Sequence, residues 1–149
     1  LSGMNAERIL IAAECLGDAR FFLDRACDHA RTRQVFGRPI GQNQGIQFPL
    51  AMAHARAAAA RLMVADACRR QEAGERGEAE ANMAKLLAAE ASWQAGEAAL
   101  QTLGGMGFAA EYDVERKFRE TRLYQVAPVS TNLILAHLAE HVLGLPRSY

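Results

Sequence analysis

The sequence predicts an all-α fold, an up-and-down four-helix bundle with one short extra helix. Three observations carry this. By count, 30 of the 149 residues are alanine and only four are proline; alanine is the best helix former, and proline breaks helix interiors. Residues that favour strands are sparse and never alternate over a long segment. Apolar residues instead recur at spacings of three and four, the helical period.

The first helix is predicted from about Asn5 to Arg33, capped by Asn5 or Ser2, with Glu7 near its positive end. Its apolar stripe reads Ile9, Ala13, Leu16, Leu23, Cys27 and Ala30. Gln34 to Gly41 holds two glycines and a proline, so it reads as a loop. The second helix starts at Asn43 or Gln47 and reaches Arg70, with Ile46, Leu50, Ala53, Ala57, Ala60, Val64 and Ala67 on one face. So many alanines imply close approach of a neighbouring helix. A polar turn with Gly74 and Gly77 leads into a third helix, about Glu78 to Leu103, on which Met83, Leu87, Ala91, Trp93, Ala98 and Leu100 read as core. Gly104-Gly105-Met106-Gly107 must end it. A short helix over about Val114 to Tyr124 follows, then a break at Val126 to Val129. The last helix, about Ser130 to Leu143, is capped by Ser130 or Thr131 and stopped by Gly144 and Pro146.

Composition narrows function. The chain is 16.2 kDa, half hydrophobic and 23% charged, which fits one globular domain. Basic and acidic residues balance at 17 each, so net charge makes no case for nucleic acid. No apolar run approaches the ~20 residues of a membrane span, and no signal segment opens the chain. Cys15, Cys27 and Cys68 cannot all pair and show no CxxC spacing; reduced thiols and a cytoplasmic location are expected. His137 and His141 share a helix face at a metal-binding spacing. No further ligand motif accompanies them, and the helix C-terminus itself favours histidine, so no metal is expected.

Two loops hold the residues with chemical potential. Arg33 and Arg38 flank the first and can grip a pyrophosphate. The backbone of Gly104 to Gly107 can approach a phosphate closely, although the motif is neither a P-loop nor a dinucleotide fingerprint. In sequence order these loops form a larger pattern. Arg33-Gln34-Val35-Phe36-Gly37 with Gln44, then Gln101-Thr102-Leu103-Gly104-Gly105-Met106-Gly107, then Glu111-Tyr112-Asp113-Val114-Glu115-Arg116 with Arg119 resemble the R-x-x-F-G…Q, Q-x-x-G-G-x-G and E-Y-x-x-E-R…R segments of acyl-CoA dehydrogenases. The resemblance covers the whole chain and is to the C-terminal α-helical domain of that family. It implies that residues 1–149 form one domain of a larger flavoenzyme whose N-terminal helical and middle β-domains lie outside this chain.

The resemblance further implies FAD as cofactor, an acyl-CoA substrate oxidised to the 2-enoyl-CoA, and an electron-transfer flavoprotein as acceptor. It implies a homodimer or homotetramer with FAD at a subunit interface. Arg33 is expected near the FAD pyrophosphate, with Phe36 beside the cofactor and Gln44 bonded nearby. Gln101, Gly104 and Gly105 approach the adenosine-pyrophosphate half from the neighbouring subunit. Asn5 and Arg8 lie near the CoA chain and thioester. The chain departs from the family at one place. Where many members carry the base in Y-E-G-T, this sequence reads Ala127-Pro128-Val129-Ser130, and proline cannot take a proton. Some relatives place the base on the first helix of this domain, and Glu7 matches that position. The carboxylate of Glu7 is expected to point into a cleft shared with the Pro128 segment. Ser130, with Asn132 beside it, stands in for the missing threonine on the cofactor. An oxidase or monooxygenase of the same superfamily, or a non-catalytic helical oligomerisation module, are the rival readings; bound flavin separates the last from the others. Without a β-domain, the chain alone is not expected to be active.

Overall fold

The computed structural model describes residues 4–148. Three long helices carry the fold: α1 Asn5–Thr32, α2 Gln44–Glu72 and α3 Glu78–Leu103. Two shorter ones, α4 Val114–Thr121 and α5 Thr131–His141, pack chiefly on α3. The all-α architecture is as predicted. Short connections make α2 antiparallel to α1 and α3, so the start of α1 lies beside the start of α3. The C-terminal ends of α1 and α3 meet the N-terminal end of α2.

One detail departs from the helical reading. The α1–α2 loop contains a tight antiparallel hairpin, β1 Gln34–Val35 with β2 Arg38–Pro39. Two residues per strand is too short to leave a period in the sequence. The predicted short helix ends earlier than expected, because Arg122–Gln125 tighten into a 3-10 turn.

The first-helix stripe is also displaced. The buried residues of α1 are Asn5, Arg8, Ala12, Cys15, Asp18, Ala19, Phe22, Ala26 and Ala30, whereas Ala13 is exposed and Ile9, Leu16, Leu23 and Cys27 are half-buried. Close approach of α1 and α3 leaves room only for small side chains at the seam, so the longer apolar ones lie on its shoulders. Gly96 shows how close the packing is: a Cβ there would meet the Phe118 ring at 2.7 Å and Phe22 at 3.2 Å. On α2, Leu50, Ala53, Ala60, Val64 and Ala67 are buried and Ala57 is half-buried, as the spacing predicts. On α3, Leu87 is exposed rather than core. Trp93 is half-buried, its ring 4.3 Å from that of Phe118 and under the Arg122 guanidinium.

The caps are mixed. Ser130 caps α5 as predicted, its Oγ accepting from the Leu133 N–H. Asn5 does not cap α1: it lies within the helix and accepts from the Arg8 guanidinium at 2.9 Å. Ser2, the other candidate, lies outside the described residues. Among the described residues, no helix is long and apolar enough to cross a membrane.

Candidate cofactor and substrate site

The predicted site residues fall at two opposite ends of the bundle. The first end joins the hairpin to the glycine loop. At the hairpin tip, Phe36 is 100% exposed and has φ of +52°, a conformation that costs a non-glycine residue energy. Gly37 follows with φ of +76°. Arg38 is held by the Asn43 side-chain oxygen at 2.8 Å, whereas Arg33 is exposed and has no ion-pair partner among the described residues. Gln44, at the start of α2, is exposed too.

The glycine loop lies at the same end. His29 of α1 meets the Tyr112 ring edge-on, and the Tyr112 hydroxyl donates to the Met106 sulfur at 3.3 Å. This ties the end of α1 to the loop after α3. Gly104 adopts φ of +59°, which accounts for glycine there. Gly105 has no such constraint, and a Cβ built on it meets nothing within 4 Å. Nothing inside the chain requires glycine at 105. Gln101 and Gly104 border an apolar concavity of about 670 Å³, whose walls include Pro49, Met52 and Phe108.

These features suit a nucleotide cofactor. A free guanidinium, an exposed aromatic ring and a backbone stripped of side chains are the groups that a pyrophosphate and its attached rings need.

The second end holds Asn5, Glu7 and Arg8; Ser130 and Asn132 lie inward of it, next to Val129, whose carbonyl meets Lys85 of α3. Arg8 is buried; beyond its bond to Asn5, its Nε has no partner. Ser130 is half-buried and Asn132 is exposed, at the N-terminal end of α5. Glu7 is exposed on the first turn of α1. The expectation that this chain encloses its carboxylate in a cleft with the Pro128 segment is therefore corrected. The first turn of α1 packs its Asn5 and Arg8 face inward, and that leaves Glu7 on the outer face. Pro128 is exposed as well.

Several buried polar groups between the two ends were not legible as such. Lys85 is fully buried and donates to the Val129 carbonyl at 2.7 Å. Burial holds its ammonium below the ordinary lysine value. Nearby, burial and then the Asp18 charge push the Cys15 thiol up to about 12, so it stays protonated. Asp18 is buried and bonded to Lys117 at 2.7 Å. Burial raises its carboxyl above the ordinary value, and the Lys117 ammonium does not bring it back. The only signal for Lys85 in the sequence is a lysine set among Ala81, Ala84, Ala88 and Ala89 on one helix face. His137 and His141 stand with ring centroids 4.6 Å apart; burial and then His141 hold His137 below its usual value. Among the described residues, no cluster of three metal-ligating side chains forms.

Residues 1–143 match the family model described as acyl-CoA dehydrogenase, C-terminal domain. The chain is 45% identical over 150 residues to acyl-CoA dehydrogenase FadE12 of Mycobacterium tuberculosis, covering 99% of this chain and 39% of that protein. A solved glutaryl-coenzyme A dehydrogenase in complex with glutaryl-CoA has a TM-score of 0.92 and 31% identity, over 97% of this chain and 37% of that one. PigA with FAD and proline has a TM-score of 0.91 and 28% identity, over 95% and 37%. The chain thus spans less than half the length of the relatives it matches. With the motifs, the helical fold and the match over nearly all its length in agreement, the chain belongs to the acyl-CoA dehydrogenase C-terminal domain family.

Proposed function

We propose that the chain is the FAD- and acyl-CoA-binding helical domain of a larger flavoenzyme that oxidises an acyl-CoA thioester to the 2-enoyl-CoA. The observation that carries this reading is the division of the candidate residues between two ends. Arg33, Phe36, Gln44, Gln101, Gly104 and Gly105 stand exposed at one end, whereas Glu7 stands exposed at the other. The 28 residues of α1 separate the two by about 40 Å. One copy of the chain cannot bring Arg33 and Glu7 to the same cofactor and substrate. Two antiparallel copies related by a twofold axis can, and the exposed Phe36, Phe48, Met52 and Leu62 supply apolar surface for such an assembly.

Under this reading Arg33 pairs with the cofactor pyrophosphate, and Gly105 leaves room for it. Glu7 takes the Cα proton of the thioester, and Asn5 and Arg8, bonded to each other in the first turn of α1, lie near the CoA chain and thioester. FAD, when bound, supplies the acceptor for the Cβ hydride. The remaining domains and the acyl chain would exclude water from the Glu7 carboxylate and make it reactive. An electron-transfer flavoprotein is the expected acceptor of the electrons. The test is anaerobic reduction of the full-length flavoenzyme by a panel of acyl-CoAs. Bleaching of the flavin by at least one supports the reading, and no bleaching by any of them contradicts it.

Pro128 favours a second reading. The usual acid is absent there, and the PigA likeness shows that this helical fold also occurs in a protein solved with proline. If the flavin is reduced by a non-thioester substrate and reoxidised directly by oxygen, the oxidase or monooxygenase reading takes over.

A further inference from the structure

Lys85 has no accessible surface, and the partner of its ammonium is a backbone carbonyl rather than a carboxylate. A buried ammonium without a counter-ion is costly, and an apolar side chain of similar length would fit an alanine-rich seam at less cost. What it does make is a bond to the Val129 carbonyl, from α3 to the connection between α4 and α5.

The other described hydrogen bonds of that connection run only to its own neighbours. Val126 and Ala127 donate their N–H groups to the Leu123 carbonyl, each at 2.9 Å. Thr131 Oγ1 donates to the Gln125 carbonyl, and Ser130 Oγ accepts from the Leu133 N–H. Among the described hydrogen bonds, Lys85 to Val129 is the one that fastens residues 126–130 to a different part of the bundle. The group facing Lys85 from α1 is the Cys15 thiol, which is protonated and offers no charge to hold the ammonium elsewhere.

We propose that Lys85 is a positioning residue for the substrate site: by gripping the Val129 carbonyl it fixes the 127–130 connection, and with it Ser130 and the start of α5, against α3. The proposal rests on the functional reading above and adds to it a residue that touches neither cofactor nor substrate. Lysine suits the task because its stem crosses the apolar seam while its head still donates.

The test uses the full-length flavoenzyme with Lys85→Met, which keeps the length of the side chain and loses the donor. Hydrogen exchange should speed up at least tenfold at amides 126–134 while the amides in the middle of α1 and α3 keep their protection. At saturating acyl-CoA, flavin reduction should slow at least tenfold per bound flavin. Lys85→Arg, which restores a charged donor, should fall between the wild type and Lys85→Met in both readouts. Unchanged exchange at 126–134 overturns the proposal. So do equal loosening of α1 and α3, faster exchange with an unchanged reduction rate, and an arginine variant no better than methionine. If Lys85→Met does not fold, Lys85→Gln carries the same comparison. If no acyl-CoA reduces the wild-type flavin, the functional reading fails on its own, and exchange still reports whether Lys85 holds the connection.

Discussion

The two ends of the bundle solve opposite problems. At the hairpin and glycine-loop end, the chain displays what it does not use: a fully exposed Phe36 in a strained conformation, an Arg33 with no ion-pair partner among the described residues, and a glycine at 105 that no contact with them requires. At the other end it hides what would be safer outside: Asn5, Arg8 and Lys85 are buried, with hydrogen bonds in place of ion pairs. Exposed strain without an internal cause points to a partner outside the chain. Buried polarity with directed bonds points to positioning within it. Phe36 and Lys85 both cost stability, and they differ in where the return is collected.

The largest expected effect lies at the second end. In the full-length enzyme, Glu7→Gln should lower the rate of flavin reduction by acyl-CoA a hundredfold or more, on the order of what general base catalysis contributes. Flavin content and acyl-CoA binding should stay unchanged. Stopped-flow reduction reads the first and titration reads the second; reduction at the wild-type rate would move the base elsewhere. A smaller effect is expected at the first end. Arg33→Glu places a carboxylate where a pyrophosphate is proposed, and flavin retention after dialysis should weaken at least tenfold while helix content is unchanged. Full retention would remove Arg33 from the site and leave the first end without its cation.

The smallest expected effect belongs to neither end and calibrates both. Asp18, in the middle of α1, has its carboxyl raised by burial despite its bond to Lys117. The folded state therefore holds that proton more tightly than the unfolded state, and ionising Asp18 lowers stability as pH rises above the ordinary value of 3.8. Asp18→Asn removes this dependence, and Lys117 keeps Glu120 as a partner at 3.3 Å. Denaturation of both proteins at pH 4 and pH 7 should show the wild type losing ground to the variant at the higher pH. A gain for the wild type on going to pH 7 would mean that the Lys117 pair outweighs burial.

How much of this was legible follows from the physics of each signal. The helices were read nearly to their ends because glycine and proline mark them, and Ser130 acts as the cap its position suggests. The α1 seam was misplaced because residue size, rather than hydrophobicity, decides what fits between closely packed helices; Ala12 and Ala19 are buried while Leu16 and Leu23 sit half-out. The hairpin was missed because two residues per strand leave no alternation. The family resemblance singles out Arg33, Phe36 and Gly105, and the structure adds that they share one end. Glu7 was expected in a cleft, but one helical turn cannot say which way a carboxylate faces when Asn5 and Arg8 compete for the inside. Lys85 was overlooked because a single lysine in an alanine-rich helix looks like a solvated one, and the carbonyl it holds is 44 residues away.

The central claim is that the two ends serve one site only across two copies of the chain. It is tested most directly by coexpressing the full-length Glu7→Gln and Arg33→Glu proteins and purifying the hybrid through two different tags. Each variant alone should be nearly inactive. In a twofold antiparallel hybrid, one site combines both substitutions, and the other joins an intact Glu7 from one copy to an intact Arg33 from its partner. The hybrid should therefore recover about half of the wild-type acyl-CoA-dependent flavin reduction per dimer, the share set by twofold symmetry. A hybrid as inactive as its parents would mean that Glu7 and Arg33 of one chain serve the same site, which contradicts the division of the two ends.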